Sequence, residues 1–191
     1  MGESRRTTRS VELIALCAGL LLSTAACTAA DPASPSPTAS VADADDAAEA
    51  AVLAEAIDAY TRYSAAFDVM LASFPGEADN DQLRATVTAE YWAVLEAEFD
   101  ADQRTWRQDG STVFDDVELI ESSEDGDLQI VTARLCIDST HVDLLDAAGA
   151  VVYPDRELRV PMEVTFERDD GQPLLVAGTS QTEGVSGCGV S

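Results

Sequence analysis

The chain offers few side chains whose type and spacing suit catalysis. It has a single imidazole, His141, and Asp138 and Asp143 lie close enough in the sequence to orient that imidazole as a general base. However, the segment Ser139-Thr140-His141 follows a run of alternating apolar residues, which is typical of a turn after a strand. We therefore favour a solvent-exposed histidine over a catalytic one.

Acidic side chains are abundant, but their spacing does not predict a metal site. Asp79-Asn80-Asp81 and the residues from Glu124 to Asp127 lack the regular spacing of oxygen ligands with which a calcium loop wraps one ion. A cysteine and histidine site is disfavoured too, because there is one His and no second cluster of ligands. The sequence thus predicts no metal, no cofactor and no catalytic residue, and the acidic groups are interpreted as solvated turns.

The four cysteines divide between different roles. Cys17 lies in an N-terminal apolar stretch and Cys27 directly follows it, which leaves Cys136 and Cys188 as an even pair. In a strand-like alternation Cys136 stands opposite to its apolar neighbours, so its side chain faces away from the core side. In an exported protein this pair predicts a disulfide that pins the glycine-rich C-terminal tail to the outer face or edge of a sheet. Two free thiols are the alternative.

The first 27 residues have the composition of an export signal. Three arginines precede the apolar run at residues 13–22, which is shorter than the roughly 20 residues of a spanning helix. Ala25, Ala26 and Cys27 resemble the end of a bacterial lipoprotein signal, although Thr24 stands where an aliphatic residue is usual. The resemblance implies that Cys27 is diacylated and anchors the protein to the extracytoplasmic face of the cell membrane. Ordinary secretion, with Cys27 left as a free thiol, is the alternative.

Composition divides the chain into three parts. Residues 1–26 are the predicted signal peptide, residues 27–46 the lipidated Cys27 and a linker rich in Pro, Ser and Ala, and residues 47–191 a single domain. The chain has 36 acidic residues against 11 basic ones and a net charge of −25. Binding to nucleic acid or to anionic lipid headgroups is therefore excluded, because both need clustered cations. The predicted contact with the membrane is the lipid alone.

Helical periodicity comes first in the predicted domain. A long helix is predicted from Asp43 until Pro75-Gly76 ends it, with carboxylates near its N-terminus. A second helix is predicted from its N-cap, Asp79, to Phe99, with a break at Thr86-Val87-Thr88. The apolar stripe of the first helix consists of Leu53, Ile57, Tyr60, Ser64, Phe67, Leu71 and Phe74.

After Trp106 the apolar period changes to two, as in strands. Turn sequences containing Asp-Gly separate these strands. Two of them present only apolar side chains on one face, namely Val131, Ala133, Leu135, Ile137, Val160, Met162, Val164 and Phe166. Helices followed by an antiparallel meander predict an α+β domain, in which the N-terminal helices pack on one face of a curved antiparallel sheet.

This order of elements resembles the nuclear transport factor 2-like cone fold, and more narrowly a set of small secreted actinobacterial proteins with that fold. The likeness covers about residues 47–188. It rests on the long first helix and on the segment Trp106-Arg107-Gln108, which enters the sheet. The other matching features are the run at residues 133–138, Val142-Asp143, Gly149 and Cys188. The resemblance implies a cone but no particular activity, because this fold hosts enzymes, binding modules and assembly domains alike.

The apolar inner face of the strands bears on function. It predicts a packed core or a pocket for an apolar ligand. A general acid or base would have to come from the helices, from Tyr60, Tyr63 or Tyr91, or from a strand whose inner face the alternation does not define. We therefore expect a lipid-anchored, non-catalytic surface domain that binds a protein partner or an apolar small ligand. The alternative is a small isomerase or dehydratase acting on an apolar substrate, with Tyr91 or His141 as its acid–base group.

Overall fold

The computed structural model describes residues 41–73, 80–98, 105–182 and 188, and of residues 41–44 only the backbone. The predicted signal peptide, Cys27 and the linker up to residue 40 lie outside these residues. The predicted helix ends at Phe74, Pro75-Gly76 and Phe99 lie outside them as well.

The described residues form helices first and strands afterwards, as an α+β domain. The helices are α1 (Val41–Ala72), α2 (Asp81–Arg84) and α3 (Ala89–Glu98). The strands are β1 (Arg107–Asp109), β2 (Val113–Asp125), β3 (Leu128–Asp138), β4 (Asp143–Leu145), β5 (Arg159–Asp169) and β6 (Leu175–Gln181). Within the described residues, no helix combines the length and the apolar character that crossing a membrane requires.

The first helix begins earlier than the predicted domain. Since α1 starts at Val41, two residues before the predicted start at Asp43, the helix includes residues 41–46, which composition assigns to the linker. Alanine and aspartate alternate in this segment. Alanine has the highest helix propensity, and carboxylates in the first turns complement the helix dipole. These residues therefore extend the helix instead of the tether.

The main sheet is curved and antiparallel, with the strand order β2-β3-β5-β6. Its register aligns the two apolar faces that the sequence predicts, with Leu135 opposite Met162 and Val131 opposite Phe166. Val131, Leu135 and Phe166 are at most 1% exposed, so the predicted inner parity of β3 and β5 is confirmed. Burial of this face against the helices is the main source of stability of the domain.

A smaller sheet consists of β1 and β4, which pair antiparallel. The sequence predicts that Trp106-Arg107-Gln108 leads into the main sheet, and in the structure this segment leads into the two-stranded sheet instead. The reason lies at Gly110, which has a φ of +100° and whose Cβ, if present, would stand 2.0 Å from the carbonyl oxygen of His141. Only glycine permits this close approach of the β1 end to the turn before β4.

The buried face of α1 differs from the predicted stripe. Leu53, Ile57, Ser64 and Phe67 are only partly buried, and the residues that are fully buried are Ala56, Ala59, Tyr60, Tyr63, Ala66, Met70 and Leu71. The predicted stripe consists mostly of large apolar side chains. In the structure, three of the buried positions are the small residues Ala56, Ala59 and Ala66, which a search for large apolar side chains does not find.

The break between α2 and α3 is confirmed, and its cause is a contact with the edge of the main sheet. The N–H of Thr88 donates to the carbonyl of Val176 and the N–H of Val176 donates to the carbonyl of Thr86, each at 3.0 Å. The backbone N–H and carbonyl groups of this segment therefore form hydrogen bonds with β6 and do not continue the helix. The predicted N-cap is wrong, because Asn80 occupies the N-cap position of α2 and Asp79 lies outside the described residues.

Candidate functional site

A cavity of about 260 Å³ lies between α1 and the inner face of the main sheet. Tyr60, Tyr63 and Phe67 line it on the helix side, and Ile137 and Met162 line it on the sheet side. The remaining lining residues are Ser64, Asp68, Leu71, Thr112 and Thr179. Mostly apolar walls with a few polar groups are typical of small-molecule sites, although this volume is slightly below their usual range of about 300–1,000 Å³.

Two tyrosines one helical turn apart supply the phenols of this cavity. Tyr60 is 4% and Tyr63 6% exposed, and their ring centroids lie 5.6 Å apart. Tyr60 also meets Phe114 of β2 edge-on at 4.8 Å, and Tyr63 lies 5.5 Å from Phe67. Such aromatic contacts fix ring positions, because tilted and edge-to-face pairs are the favoured arrangements.

Burial raises the pKa of both Tyr60 and Tyr63 above the ordinary value of 10.0. The neighbouring Tyr91 raises both pKa values further, and the carboxylate of Asp68 adds to the effect on Tyr60. Desolvation acts in this direction because it disfavours the charged phenolate. Both phenols are therefore neutral at physiological pH. A hydrogen bond to Tyr91 contributes to the raised pKa of Tyr63, so the hydroxyl of Tyr63 already has a partner.

Tyr91 and Thr179 form a polar pair beside the tyrosines. Their hydroxyl oxygens lie 2.7 Å apart, and Tyr91 is 7% exposed. Thr179 faces the cavity because of an irregularity in β6, where Phe166 pairs with Val176 but Thr165 pairs with Gly178. The extra residue reverses the parity of the strand beyond it. Strict alternation from Val176 therefore does not predict that Thr179 faces inward.

Asp68 is the one charged residue in the described lining of the cavity, and both its carboxylate oxygens accept hydrogen bonds. Gln108 Nε2 donates to Oδ1 at 2.6 Å, and the backbone N–H of Thr112 donates to Oδ2 at 3.0 Å. Gln108 is 3% exposed and also donates to the carbonyl of Gly110 at 3.2 Å. Asp68 thus ties α1 to β1 and to the start of β2. Sequence reasoning missed this residue, and its only signal was a carboxylate beside the apolar stripe.

His141 lies exposed in the turn after β3, as the favoured interpretation of the sequence predicts. The oxygens of Asp138 have other partners, the backbone N–H of Thr140 at 2.9 Å and Arg159 at 3.2 Å. The hydrogen bonds from Thr140 and then from Arg159 lower the pKa of Asp138. The carboxylate of Asp138 is thus held by Thr140 and Arg159.

The structure brings Cys136 and Cys188 to bonding distance, with their sulfurs 2.10 Å apart. Cys136 lies opposite Pro161 of β5 in register, on the parity opposite to Leu135. The ligand atoms of Asp115, Asp116 and Cys136 also lie within 4.8 Å of one another.

This group is ill suited to hold a metal. A disulfide sulfur has no thiolate charge, and Arg159 already pairs with Asp115 at 2.6 Å and with Asp116 at 3.4 Å. The guanidinium therefore occupies the position that a cation would take between the carboxylates.

The sequence matches no protein-family model, and a comparison with curated proteins finds no significant match.

Proposed function

We propose that this protein is a lipid-anchored protein of the extracytoplasmic face of the cell membrane, whose α+β domain binds an apolar small molecule without transforming it. The observation that carries the proposal is the cavity between α1 and the sheet, which has apolar walls and neutral phenol donors. An apolar ligand would gain free energy by leaving water, and one hydrogen bond from a phenol would orient it.

Binding is better supported than catalysis by the state of the polar groups in the cavity. A general base needs an accessible lone pair near its substrate. Tyr60 and Tyr63 are protonated, and the carboxylate of Asp68 is held by Gln108 and Thr112. The described lining thus offers hydrogen-bond donors and no free base. The alternative, an isomerase or dehydratase, would have to use the hydroxyl of Tyr91, which is already paired with Thr179.

The specific fold is part of the proposal. The long α1 packed on a curved four-stranded antiparallel sheet, with a cavity between them, supports a nuclear transport factor 2-like cone. The sequence resemblance over residues 47–188 points the same way. In such a cone, the inner face of the sheet and the first helix would enclose the ligand.

The membrane anchor rests on the sequence around Cys27. The short apolar run followed by Ala25-Ala26-Cys27 supports diacylation of the cysteine, and the Pro- and Ser-rich segment supports a tether. Cells that express the chain and are fed a tagged fatty acid should label the wild type but not Cys27→Ala. Equal labelling of both chains would contradict the anchor.

The cavity is tested with a neutral apolar fluorophore, N-phenylnaphthylamine, added to the full chain carrying Cys27→Ala so that no protein-bound lipid competes. We expect saturable enhancement of the probe fluorescence. Ser64→Phe, which places a ring in the cavity wall, should abolish it. Ala54→Phe adds the same ring at an exposed position of α1 and should leave binding unchanged. No saturable binding, or equal binding by both variants, would contradict the proposed function.

A further inference from the structure

A second depression lies directly beside the cavity. It is a groove of about 510 Å³ between α1 and the start of β2. Ala65 and Val69 line it on the helix side, and Val113 and Phe114 on the strand side. Val69 is 56% and Val113 52% exposed, and both line this one groove. The groove thus presents apolar surface to water.

The groove and the cavity meet along one wall. Ser64, Asp68 and Thr112 line both of them. In addition, Phe114 of the groove packs edge-on against Tyr60 of the cavity, with ring centroids 4.8 Å apart. The hydrogen bond from Thr112 N–H to Asp68 Oδ2 and the Tyr60–Phe114 contact join α1 to the start of β2 here. Ser64 lines both spaces between these two contacts. A molecule that fills the cavity and extends past Ser64 would therefore lie in the groove.

The charges on these walls restrict the ligand. Among the described residues that line the cavity and the groove, Asp68 alone is charged, and its charge is negative. A buried anionic group would have no cation to pair with, which is costly. The neutral phenol of Tyr60, which lines the cavity, instead favours a ligand group that accepts hydrogen bonds, such as a carbonyl or ether oxygen.

We propose that the cavity and the groove form one elongated site for an uncharged, chain-like apolar molecule, whose hydrogen-bond acceptor lies near Tyr60 and Tyr63 and whose chain extends over Val69 and Val113. This inference rests on the proposed binding function. It adds the class of ligand and the second half of the site. The cavity alone is too small for a long chain, and the exposed valines of the groove are covered when such a chain binds.

The test compares methyl ketones of seven and eleven carbons as competitors of N-phenylnaphthylamine on the full chain carrying Cys27→Ala. Each methylene that reaches an apolar surface should raise affinity by up to about fourfold. We expect the longer ketone to bind far more tightly than the shorter one. A carboxylate of eleven carbons should bind at least about tenfold more weakly than the ketone of equal length, because its charge would be unpaired.

Variants in the groove test where the alkyl chain of the ligand lies. Val69→Ser and Val113→Ser should each weaken the eleven-carbon ketone about fivefold and leave the seven-carbon ketone unchanged, because only the longer chain reaches the groove. Val94→Ser removes a valine that is 47% exposed on α3 and should affect neither ligand.

The outcomes separate the two proposals. If neither ketone competes with the probe, the proposed function fails. If both ketones compete but the groove variants affect them equally or not at all, the cavity binds ligand and the elongated site is wrong. Equal binding of the carboxylate and the ketone would overturn the assignment of an uncharged ligand.

Discussion

Tyr60 and Tyr63 lie on one turn of α1, and both rings are buried at the cavity where the sheet faces the helix. Their burial has two consequences. It supplies much of the aromatic contact between α1 and its neighbours, and it keeps both phenols neutral, so that they donate hydrogen bonds without being able to act as bases. The same side chains thus contribute to packing and to the polarity of the cavity.

The raised pKa of these tyrosines predicts a dependence on alkaline pH. In the unfolded chain a tyrosine ionises near pH 10.0, whereas in the folded protein Tyr60 and Tyr63 ionise above it. Their contribution to stability is therefore fully present below pH 10 and is lost as the pH rises above 10 towards the folded pKa. At about pH 11, ultraviolet absorbance should show less phenolate in the native than in the urea-unfolded protein.

A variant of one cavity tyrosine tests whether the difference in phenolate absorbance comes from the buried phenols. Tyr63→Phe should reduce the gap in phenolate absorbance between native and unfolded protein. A native protein that ionises all its tyrosines together near pH 10.0 would contradict the buried state of the two phenols.

Asp68 allows a second prediction at this scale. Asp68→Ala removes the acceptor for Gln108, which is 3% exposed, and for the N–H of Thr112. Leaving buried donors without partners costs about 1–3 kcal/mol. Urea unfolding should show a loss of that order, whereas Asp58→Ala, at an exposed position of the same helix, should change stability by less than about 0.5 kcal/mol. Equal effects of the two variants would refute the tie between α1 and the sheets.

At the scale of elements, the close contact of β1 with the turn before β4 depends on a single glycine. Gly110→Ala would place a Cβ 2.0 Å from the carbonyl oxygen of His141 at a φ of +100°. We expect a loss of about 3 kcal/mol or more in the free energy of unfolding, from the clash and the backbone strain together.

Gly126 is the control for this substitution. It also has a positive φ, +66°, but a Cβ there would meet nothing within 4 Å. Gly126→Ala should therefore cost only about 1 kcal/mol. If thermal or urea unfolding places both variants at the same stability, the close approach at Gly110 is not what the structure describes.

Periodicity predicted the elements better than their exact faces. The two-residue alternation of β3 and β5 was sufficient, because both strands pair without interruption and Leu135 meets Met162 on the same face. It failed for β6, where one extra residue turns Thr179 inward. It was also insufficient for α1, because the alanines at positions 56, 59 and 66 are small enough to be overlooked in a search for large apolar residues. Bulges and close helix packing depend on partners that a linear pattern does not contain.

At the scale of the molecule, the Cys136–Cys188 pair closes a loop that includes the end of β3 and the whole of β4, β5 and β6. The cysteines are 52 residues apart. A loop of this length predicts a stabilisation of about 4 kcal/mol through the restricted unfolded chain, which is an upper estimate.

Cys188→Ser should therefore lower the melting temperature by up to about 10 °C, as scanning calorimetry would measure. Intact mass of the native protein should increase by two hydrogens on reduction. Two titratable thiols at these positions in the unreduced protein would show that the bond does not form.

The order of helices and strands could be predicted from the sequence, and the cavity could not. Its candidate polar groups, Tyr60, Tyr63 and Tyr91, were named from their place on the helices. Their arrangement depends on where α1 lies on the sheet, which is decided by side chains far apart in the chain, such as Asp68 and Thr112. A cavity is the space between packed elements that their side chains leave unfilled. Its size depends on residues far apart in the sequence, so a local sequence pattern does not predict it.

The outer edge of the main sheet has a consequence for the behaviour of the protein in concentrated solution. The edge strand β2 has register shifts at two places, and Asp116 on it has a φ of +51°. Its exposed carboxylates are Asp115, Asp116, Glu118, Glu121, Glu124 and Asp125. A second molecule approaching this edge would meet a kinked backbone and bring a like row of negative charges opposite the first. Addition of a further strand at β2 is thus disfavoured, and the molecules stay dispersed where an uncharged, regular edge would let strands of neighbouring molecules join.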